Sequence, residues 1–293
     1  MPRQDSPRAL LRATRIAGLD ERYADVKGVR LRYFISDGSG APLVLLHGLG
    51  GAACNWTAVV ESLSTARRPL LVPELPGHGG SSPLPACPTL DPIADRVLLL
   101  AQGEGLGPAV FAGHSLGALV ALHVALRSPS SVLGVVLAGA AGISSASTRA
   151  KKALAITSFV QPGRRLAPHR EAIARRPGLR RAIFFWGSPD TDALTPRAAE
   201  RFLIGPALHC DTASAARALV ADDVREHLGG VRCRCLVLWG ARDSQVGIAD
   251  AIDYARRLRA PLRTIADCGH LLIGERPDVC AAALEHFAAS VSP

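Results

Sequence analysis

Long apolar segments are absent from this sequence of 293 residues. No run approaches the roughly 18 apolar residues that a membrane-spanning helix requires. The first residues read MPRQDSPR and lack the apolar stretch that defines a secretory signal peptide. We therefore expect a cytoplasmic protein that has no membrane as partner.

Cysteine motifs for metal or redox chemistry are also missing. The seven cysteines are odd in number and scattered, and none forms a C-x-x-C pair, which argues against zinc or thioredoxin-like chemistry. Cys233 and Cys235 lie beside an apolar run, where their side chains would share one face of a strand. That spacing favours packing over metal binding.

Lysine is scarce, and only three of the 34 basic residues are lysines. The formal net charge is nevertheless +9, which raises the question of a nucleic-acid partner. No nucleic-acid-binding motif is present, and the positive charge is concentrated in one segment. Residues 144–221 hold 13 basic and five acidic side chains. We therefore expect no nucleic acid as partner.

The composition is that of a globular chain, with 48% hydrophobic and 20% charged residues. Short apolar runs alternate with helix-like stretches, which is typical of a parallel sheet covered by helices on both faces. The run 29–35 differs, because its polar and apolar residues alternate and predict a half-buried strand. Ligands of such sheets bind beyond the carboxyl ends of the strands. The predicted strands are 29–35, 42–47, 69–74, 108–113, 132–138, 235–239 and 262–266, and the predicted helices are 56–64, 90–102, 116–126, 248–258 and 277–289.

The alternation stops between residues 144 and 221, which contain helix-like pieces and prolines but no convincing strand. An insertion at the carboxyl end of a strand lies over the active site as a lid or cap. We therefore predict an α/β core formed by residues 1–143 and 222–293, and a helical cap formed by residues 144–221.

The strongest local motif is Gly113-His114-Ser115-Leu116-Gly117. It matches G-x-S-x-G and lies between a predicted strand and a predicted helix, as this nucleophile motif requires. The sharp turn exposes the hydroxyl of Ser115 above the sheet, and the two glycines leave room for the turn. We therefore interpret Ser115 as a nucleophile rather than as part of a chance match.

A serine hydroxyl needs a base, and His270 follows the last predicted strand. The other histidines lie in glycine loops, in the serine motif, on a helix or in the insertion, or they do not follow a predicted strand. The imidazole needs a carboxylate that fixes its tautomer, and Asp243 follows the preceding strand. This choice gives the chain order Ser, Asp, His. Asp250, in the first turn of a helix, and Asp267, in a loop, remain alternatives.

An oxyanion hole needs backbone N–H donors. One candidate is the amide of Leu116, which begins a predicted helix. The other is the amide of Leu49 in the loop His47-Gly48-Leu49-Gly50-Gly51, whose glycines let the backbone approach a ligand. A phosphate-binding loop is the alternative, but the Lys-Ser/Thr ending of a P-loop is missing.

Together these motifs resemble the α/β-hydrolase superfamily, and the resemblance extends from about residue 28 to residue 289. It implies an eight-stranded, mostly parallel sheet flanked by helices, with a helical cap after the sixth strand. It implies neither a metal nor an organic cofactor. The matching segments are 47–51, 74–81 (Glu-Leu-Pro-Gly-His-Gly-Gly-Ser), 113–117, 240–243 and 269–270.

Two positions refine this resemblance. Glu74 stands where many relatives carry Asp before the Pro-Gly-His-Gly turn, and we interpret it as structural. Relatives that resemble epoxide hydrolases or haloalkane dehalogenases attack with Asp. The serine at position 115 therefore disfavours those two activities.

The insertion bears on the substrate. Its positive charge would steer an anionic substrate or an acidic carrier protein to the site, although a solvated arginine-rich surface is the simpler explanation. The candidate pocket residues all have structural alternatives: residues 184–186 would line an acyl pocket above Ser115 or hold the cap on the core, and the other two would pack in the core or hydrogen-bond locally. These candidates are Trp56, His114, Phe184, Phe185 and Trp186.

The function that we predict is that of a serine hydrolase acting on a small-molecule acyl substrate. It would cleave an ester, lactone or thioester through an acyl-enzyme on Ser115. One alternative is an acyltransferase or thioesterase acting on a carrier-bound acyl chain. Others are a carbon–carbon bond hydrolase, and a non-hydrolytic biosynthetic enzyme or ligand-binding protein on the same fold.

Overall fold

A computed structural model describes residues 5–63, 68–85, 89–144 and 165–292. Within these ranges, eight strands form one sheet in the order β1-β2-β4-β3-β5-β6-β7-β8. Strand β2 pairs antiparallel with β1 and β4, and the other neighbours pair parallel. The predicted α/β-hydrolase fold is confirmed. The strands are β1 (Asp20–Val26), β2 (Val29–Ser36), β3 (Leu43–Leu46), β4 (Leu70–Pro73), β5 (Ala109–His114), β6 (Val132–Ala138), β7 (Arg234–Gly240) and β8 (Leu262–Ile265).

Helices flank this sheet, and in the described ranges none is long and apolar enough to cross a membrane. We number the described α-helices in chain order. They are α1 (Pro7–Ala13), α2 (Thr57–Ser62), α3 (Asp91–Gly103), α4 (Leu116–Arg127), α5 (Arg170–Arg175), α6 (Pro177–Phe184), α7 (Pro196–Ile204), α8 (Thr212–Ala221), α9 (Ile248–Leu258), α10 (Leu272–Glu275) and α11 (Pro277–Val291).

Consecutive side chains of the central strands enter two separate apolar layers. In β5, Val110 and Ala112 pack on the face that α2 and α11 cover, whereas Phe111 packs on the face that α3, α4 and α9 cover. Both faces of the strand are therefore buried, which explains its continuous apolar sequence. Burial of each large apolar side chain contributes about 1.5–3 kcal/mol.

The antiparallel edge of the sheet departs from the sequence-based expectation. Strand β1 is not among the predicted strands, and most of its side chains are exposed or only partly buried. Strand β2, expected to be half-buried, is buried along most of its length, and its Arg32 is fully enclosed. The alternation of polar and apolar residues therefore gave the correct strand but the wrong exposure for Arg32.

The described part of the predicted cap, residues 165–221, contains α5 to α8 and no strand. Its apolar centre includes Ile173, Leu194 and Leu203. The cap boundaries themselves remain a prediction. The cap residues that lie outside the described ranges include Arg149, Lys151, Lys152, Phe159 and Arg164.

His123 of α4 connects three elements of the fold. Its Nδ1 lies 2.8 Å from Oδ1 of Asp91 in α3, and its Nε2 lies 2.8 Å from Oδ2 of Asp222, which follows α8. Burial lowers the pKa of His123, but the hydrogen bonds and charges of Asp222 and Asp91 outweigh burial. The pKa of His123 is therefore raised above its ordinary value.

A raised pKa makes the stability contributed by His123 pH-dependent. The protonated ring stabilises the fold below its unfolded pKa of about 6.5, and this contribution is lost as the pH rises through the folded pKa. We expect His123→Gln to lower the free energy of unfolding more at about pH 5.5 than at about pH 9. Urea titrations measure both values, and equal losses would show that the ring acts by packing alone. Asp222→Asn should shift the pH dependence of the free energy of unfolding to lower pH, because Asp222 raises the pKa of His123.

Candidate active site

Ser115 forms the turn between β5 and α4, because the strand ends at His114 and the helix begins at Leu116. Its φ is +53°, in a region that residues other than glycine rarely adopt. Its N–H donates to the carbonyl of Ala138, at the end of β6, over 2.9 Å. This is the strained strand-to-helix turn expected of a nucleophile elbow.

The two glycines of this turn have no room for a side chain. A Cβ on Gly113 would lie 2.1 Å from the carbonyl carbon of Gly117, and a Cβ on Gly117 would lie 2.3 Å from the carbonyl oxygen of Leu46. The start of α4 therefore packs directly on the backbone of β3 and β5. Steric exclusion of a side chain therefore explains both glycines of the G-x-S-x-G pattern.

Asp243 and His270 form a hydrogen-bonded pair beyond the ends of β7 and β8. Nδ1 of His270 lies 2.8 Å from Oδ2 of Asp243, and both side chains are buried. Oδ1 of Asp243 accepts the N–H groups of Gln245 and Val246, each at 2.9 Å. Backbone N–H groups thus bind one carboxylate oxygen of Asp243, and the imidazole of His270 is within hydrogen-bonding distance of the other. This arrangement favours the tautomer with a proton on Nδ1, in which Nε2 of His270 is able to accept a proton.

The turn after β6 lies between the turn at Ser115 and the Asp243–His270 pair. A Cβ on Gly139 would lie 3.5 Å from Nδ1 of His270 and 3.6 Å from Oδ2 of Asp243. The preceding residue, Ala138, accepts the N–H of Ser115. The three candidate catalytic residues therefore surround the same short turn.

The two alternative acids lie in other environments. Oδ2 of Asp250 accepts the N–H of Ser144 over 2.9 Å, in the first turn of α9. Asp267 is largely exposed, has a φ of +49°, and lies 3.7 Å from the guanidinium of Arg242. Asp243 is the acid whose carboxylate meets His270, and it remains our candidate.

We expect Asp243→Asn to lower kcat by about 10⁴-fold while the fold is kept, because an amide favours the wrong tautomer of His270. Asp250→Asn is the matched control, since it changes an equally buried acid that holds a different loop. Steady-state kinetics on an activated ester measures both variants. A loss below about tenfold for Asp243→Asn, or an equal loss for the control, would contradict the assignment.

The glycine loop after β3 is held through the carbonyl of Gly48. This oxygen accepts the N–H of Gly51 over 3.0 Å and lies 2.8 Å from Nδ1 of His47. Nε2 of His47 accepts the N–H of Leu75 over 2.9 Å, so the ring proton is on Nδ1. Burial lowers the pKa of His47 to about 3, which keeps the ring neutral.

The two candidate oxyanion donors belong to segments that adjoin Ser115. In a trans peptide the C=O and the next N–H point in opposite directions, so the N–H of Leu49 is turned away from the groups that hold Gly48. A Cβ on Gly48 would lie 3.2 Å from Cβ of Ser115, which places this loop against Ser115. The N–H of Leu116 is the first of α4, where a helix leaves its N–H groups unpaired.

Two of the candidate pocket residues are enclosed by the core. Trp56 is fully buried in the apolar layer that includes Val59 and Leu284. His114 lies beside His270, with 4.9 Å between ring centroids, and its Nε2 is 2.7 Å from the carbonyl oxygen of His270. Burial lowers the pKa of His114 to about 3. His114 therefore contacts the backbone of the candidate base as a neutral ring.

The three aromatic residues of the predicted cap do not share one environment. Phe184 is buried in the apolar centre of residues 165–221, hereafter the helical segment, whereas Phe185 is 70% exposed. Trp186 is 43% exposed, and its carbonyl accepts the hydroxyl of Ser244 over 2.8 Å. Of these three residues, Trp186 is the one that the structure connects to the loop after Asp243.

Glu74, interpreted from the sequence as structural, is fully buried beside Arg32. Sequence analysis did not single out two residues that hold the glycine loop. Asn55 accepts the N–H of Ala52 over 2.9 Å, and His209 lies 2.9 Å from the carbonyl oxygen of Gly50. A lone histidine in an insertion carries no signal of such a contact.

Comparisons with known proteins identify the family of this chain. The profile of the Alpha/beta hydrolase family matches residues 43–283. A pimeloyl-[acyl-carrier protein] methyl ester esterase from Aromatoleum aromaticum is 34% identical over 250 residues, which are 83% of this chain and 96% of that protein. A dihydrolipoyllysine-residue acetyltransferase component of an acetoin cleaving system, from Cupriavidus necator, is 36% identical over 125 residues. That match spans 43% of this chain and only 33% of the length of the acetyltransferase component.

Solved structures show the same fold. The enol-lactonase from Burkholderia xenovorans LB400 aligns with a TM-score of 0.74 and 23% identity, over 92% of this chain and 100% of its own. The family match covers well over half of the sequence, and the resemblance inferred from the motifs is confirmed. The chain belongs to the alpha/beta hydrolase family.

Proposed function

We propose that this protein is a serine hydrolase that cleaves a carboxylic ester-type bond. The observation that carries the proposal is the buried Asp243–His270 pair, 2.8 Å apart, beside the strained turn at Ser115. A serine is a weak nucleophile by itself, and such a pair is what activates it.

The reaction follows from the roles of these groups. Nε2 of His270 takes the hydroxyl proton as the oxygen of Ser115 bonds to the carbonyl carbon. The N–H groups of Leu49 and Leu116 stabilise the resulting oxyanion. The alcohol leaves with the proton from His270, and an acyl-enzyme remains. Water then attacks the acyl carbon with His270 as base, which releases the acid and restores Ser115.

The relatives support an ester as substrate class. The Aromatoleum aromaticum protein, which matches most of both chains, is named a methyl ester esterase. The names of two structural neighbours, an esterase from Thermogutta terrifontis and the enol-lactonase, also denote cleavage of ester bonds. An open-chain ester and a lactone both pass through a tetrahedral intermediate with one oxyanion, so the same residues can serve both.

A fluorophosphonate probe tests the proposal directly, because it reacts with activated serines. We expect the intact mass of the wild type to increase by one adduct, mapped to Ser115, and Ser115→Ala to remain unlabelled. Ester, thioester and lactone substrates are then assayed with and without an alcohol or amine acceptor. No adduct and no turnover in a folded sample would overturn the proposal in favour of a binding or non-hydrolytic role. If the leaving group is released faster when the acceptor is present, the result would favour an acyltransferase.

A carrier-bound acyl ester is a second candidate substrate, because the most extensive of these sequence matches is to a protein that acts on one. The exposed arginines of the helical segment would attract an acidic carrier. They include Arg175, Arg176, Arg181 and Arg217.

Salt dependence separates the two substrates. We expect kcat/KM for an acyl-carrier ester to fall steeply between about 50 and 500 mM NaCl, because salt screens exposed charges. For a neutral small ester, kcat/KM should change little over the same range. An equally flat response for both esters would remove the carrier from consideration.

A further inference from the structure

One histidine of the helical segment contacts the glycine loop of the core. His209 lies between α7 and α8, and its Nε2 is 2.9 Å from the carbonyl oxygen of Gly50. Its Nδ1 accepts the N–H of Gly79 over 3.0 Å. Because Nδ1 accepts, the ring proton is on Nε2, which donates to Gly50. One imidazole therefore connects the loop after β3 with the loop after β4.

The chemical state of this ring is fixed by its surroundings. Burial and the neighbouring ring of His78, whose centroid is 5.2 Å away, lower the pKa of His209 to about 3. The ring is neutral at ordinary pH, so its donor and acceptor keep their places. His209 is thus a hydrogen-bonding group and not an acid or base.

The backbone that carries His209 is firmly supported. The N–H groups of Cys210 and Asp211 both donate to the carbonyl of Gly77 over 3.1 Å. Gly77 has a φ of +78°, and a Cβ there would lie 2.0 Å from the carbonyl oxygen of Asp211. The two segments are in direct backbone contact, so the imidazole approaches Gly50 from a defined position.

The bond to Gly50 reaches Leu49 through two peptide planes. A trans peptide fixes its C=O and the following N–H relative to each other. The carbonyl of Gly50 belongs to the same peptide as the N–H of Gly51, and this N–H donates to the carbonyl of Gly48 over 3.0 Å. The carbonyl of Gly48 in turn shares its peptide with the N–H of Leu49. Gly50, with a φ of +69°, has the freedom to rotate away when nothing holds its carbonyl.

We propose that His209 is a positioning residue that holds the N–H of Leu49 toward the reacting carbonyl oxygen. It acts through the peptides of Gly50 and Gly48 and does not touch the substrate. The inference rests on the proposed serine hydrolase function. It makes the docking of the helical segment on the core a condition for a complete oxyanion hole.

Two substitutions separate the two hydrogen bonds of His209. Glutamine places an N–H donor near the position of Nε2, and asparagine places an oxygen acceptor near the position of Nδ1. We expect His209→Gln to keep kcat within about threefold of the wild type. His209→Asn loses the bond to Gly50, and its kcat should fall roughly 10- to 100-fold with little change in KM, because oxyanion stabilisation acts in the transition state.

The rate of fluorophosphonate labelling is a second measurement, since the phosphoryl oxygen occupies the oxyanion hole. It should fall for His209→Asn in parallel with kcat, while Cys210→Ser, a neighbouring control, keeps the wild-type rate. Equal kcat values for the glutamine and asparagine variants, or a change in KM alone, would overturn the positioning role. A wild type that neither labels nor hydrolyses any ester would instead overturn the proposed function, and this inference with it.

Chemical rescue covers the case in which His209→Asn does not fold. His209→Ala should regain kcat when imidazole is added and not when 1-methylimidazole is added, because the neutral methylated ring has no N–H donor. An alkyl ester is used as substrate, and the rate of Ser115→Ala under the same conditions is subtracted. Equal rescue by both compounds, or rescue by neither, would overturn the donor role.

Discussion

Ser115→Ala and His270→Ala should each lower kcat by about 10⁴- to 10⁶-fold, and the double variant should lose little more. In the proposed mechanism the two residues act in one proton transfer, so the second substitution removes nothing that the first has left working. Residual turnover would come from binding and from the N–H groups of Leu49 and Leu116. Single-turnover kinetics with an activated ester measures the losses without the contribution of product release.

Surface substitutions of the same type serve as controls for this series. Ser62→Ala removes an exposed hydroxyl that donates to the carbonyl of Ala58 on α2, and His286→Ala removes an exposed ring on α11. Both should keep kcat within about twofold, since neither residue lies at the elbow or at the Asp243–His270 pair. If the losses of Ser115→Ala and His270→Ala instead multiply in the double variant, the two residues do not share one step.

The central architecture could be predicted because its strands are buried on both faces. The helix 248–258 has the predicted bounds. The strands predicted to begin at residues 42, 108 and 132 begin at Leu43, Ala109 and Val132. Strand β1 could not be predicted, because it lies at the edge of the sheet with a polar sequence. It is held by backbone pairing with β2, and such pairing leaves no hydrophobic pattern.

The candidate catalytic residues could be proposed from local sequence because each follows a strand. Residues at the carboxyl ends of parallel strands converge, so order and residue type were sufficient to select Ser115, Asp243 and His270. His209 could not be found in this way. Its partner is the carbonyl of Gly50, 159 positions away in the chain, and a carbonyl group is present at every residue. Only the fold shows which one it meets.

The aromatic cluster shows why adjacency in sequence is a poor guide to a pocket. Successive residues of a helix point about 100° apart, so neighbours seldom share a surface. Phe184, at the end of α6, points into the centre of the helical segment, and Phe185 points to solvent. A pocket formed by this cluster therefore remains a hypothesis that rests mainly on Trp186.

Arg32 is the residue whose environment differs most from the expected one. Its guanidinium lies 3.4 Å from both carboxylate oxygens of Glu74, and both side chains are fully buried. It also donates to Glu21 over 2.8 Å and to the carbonyl of Leu11 over 2.7 Å. Burial raises the pKa of Glu74, while Arg32 and the N–H of Gly80 act to lower it. Arg32 is thus the counter-charge of a carboxyl that has no access to water.

We expect Arg32→Met to lower the free energy of unfolding by about 3–5 kcal/mol, because it leaves a buried carboxyl without its partner. Arg30→Met, on the same strand but exposed, is the matched control and should change stability by about 0.5 kcal/mol or less. Denaturant titrations measure both values. The loss for Arg32→Met should shrink at acidic pH, because the ionic interaction with Arg32 is absent in both proteins once Glu74 is neutral.

The double variant Arg32→Met/Glu74→Gln decides whether the ion pair itself causes the loss. Removing the charge of Glu74 should recover part of the stability that Arg32→Met loses, since the unpaired charge is then gone. Additive losses in the double variant, or equal losses for Arg32→Met and Arg30→Met, would contradict this account.

Oε2 of Glu74 also accepts the N–H of Gly80 over 2.6 Å, and the adjacent Gly79 donates to His209. Arg32→Met should therefore also reduce kcat at temperatures at which the protein remains folded, by loosening the loop that supports His209.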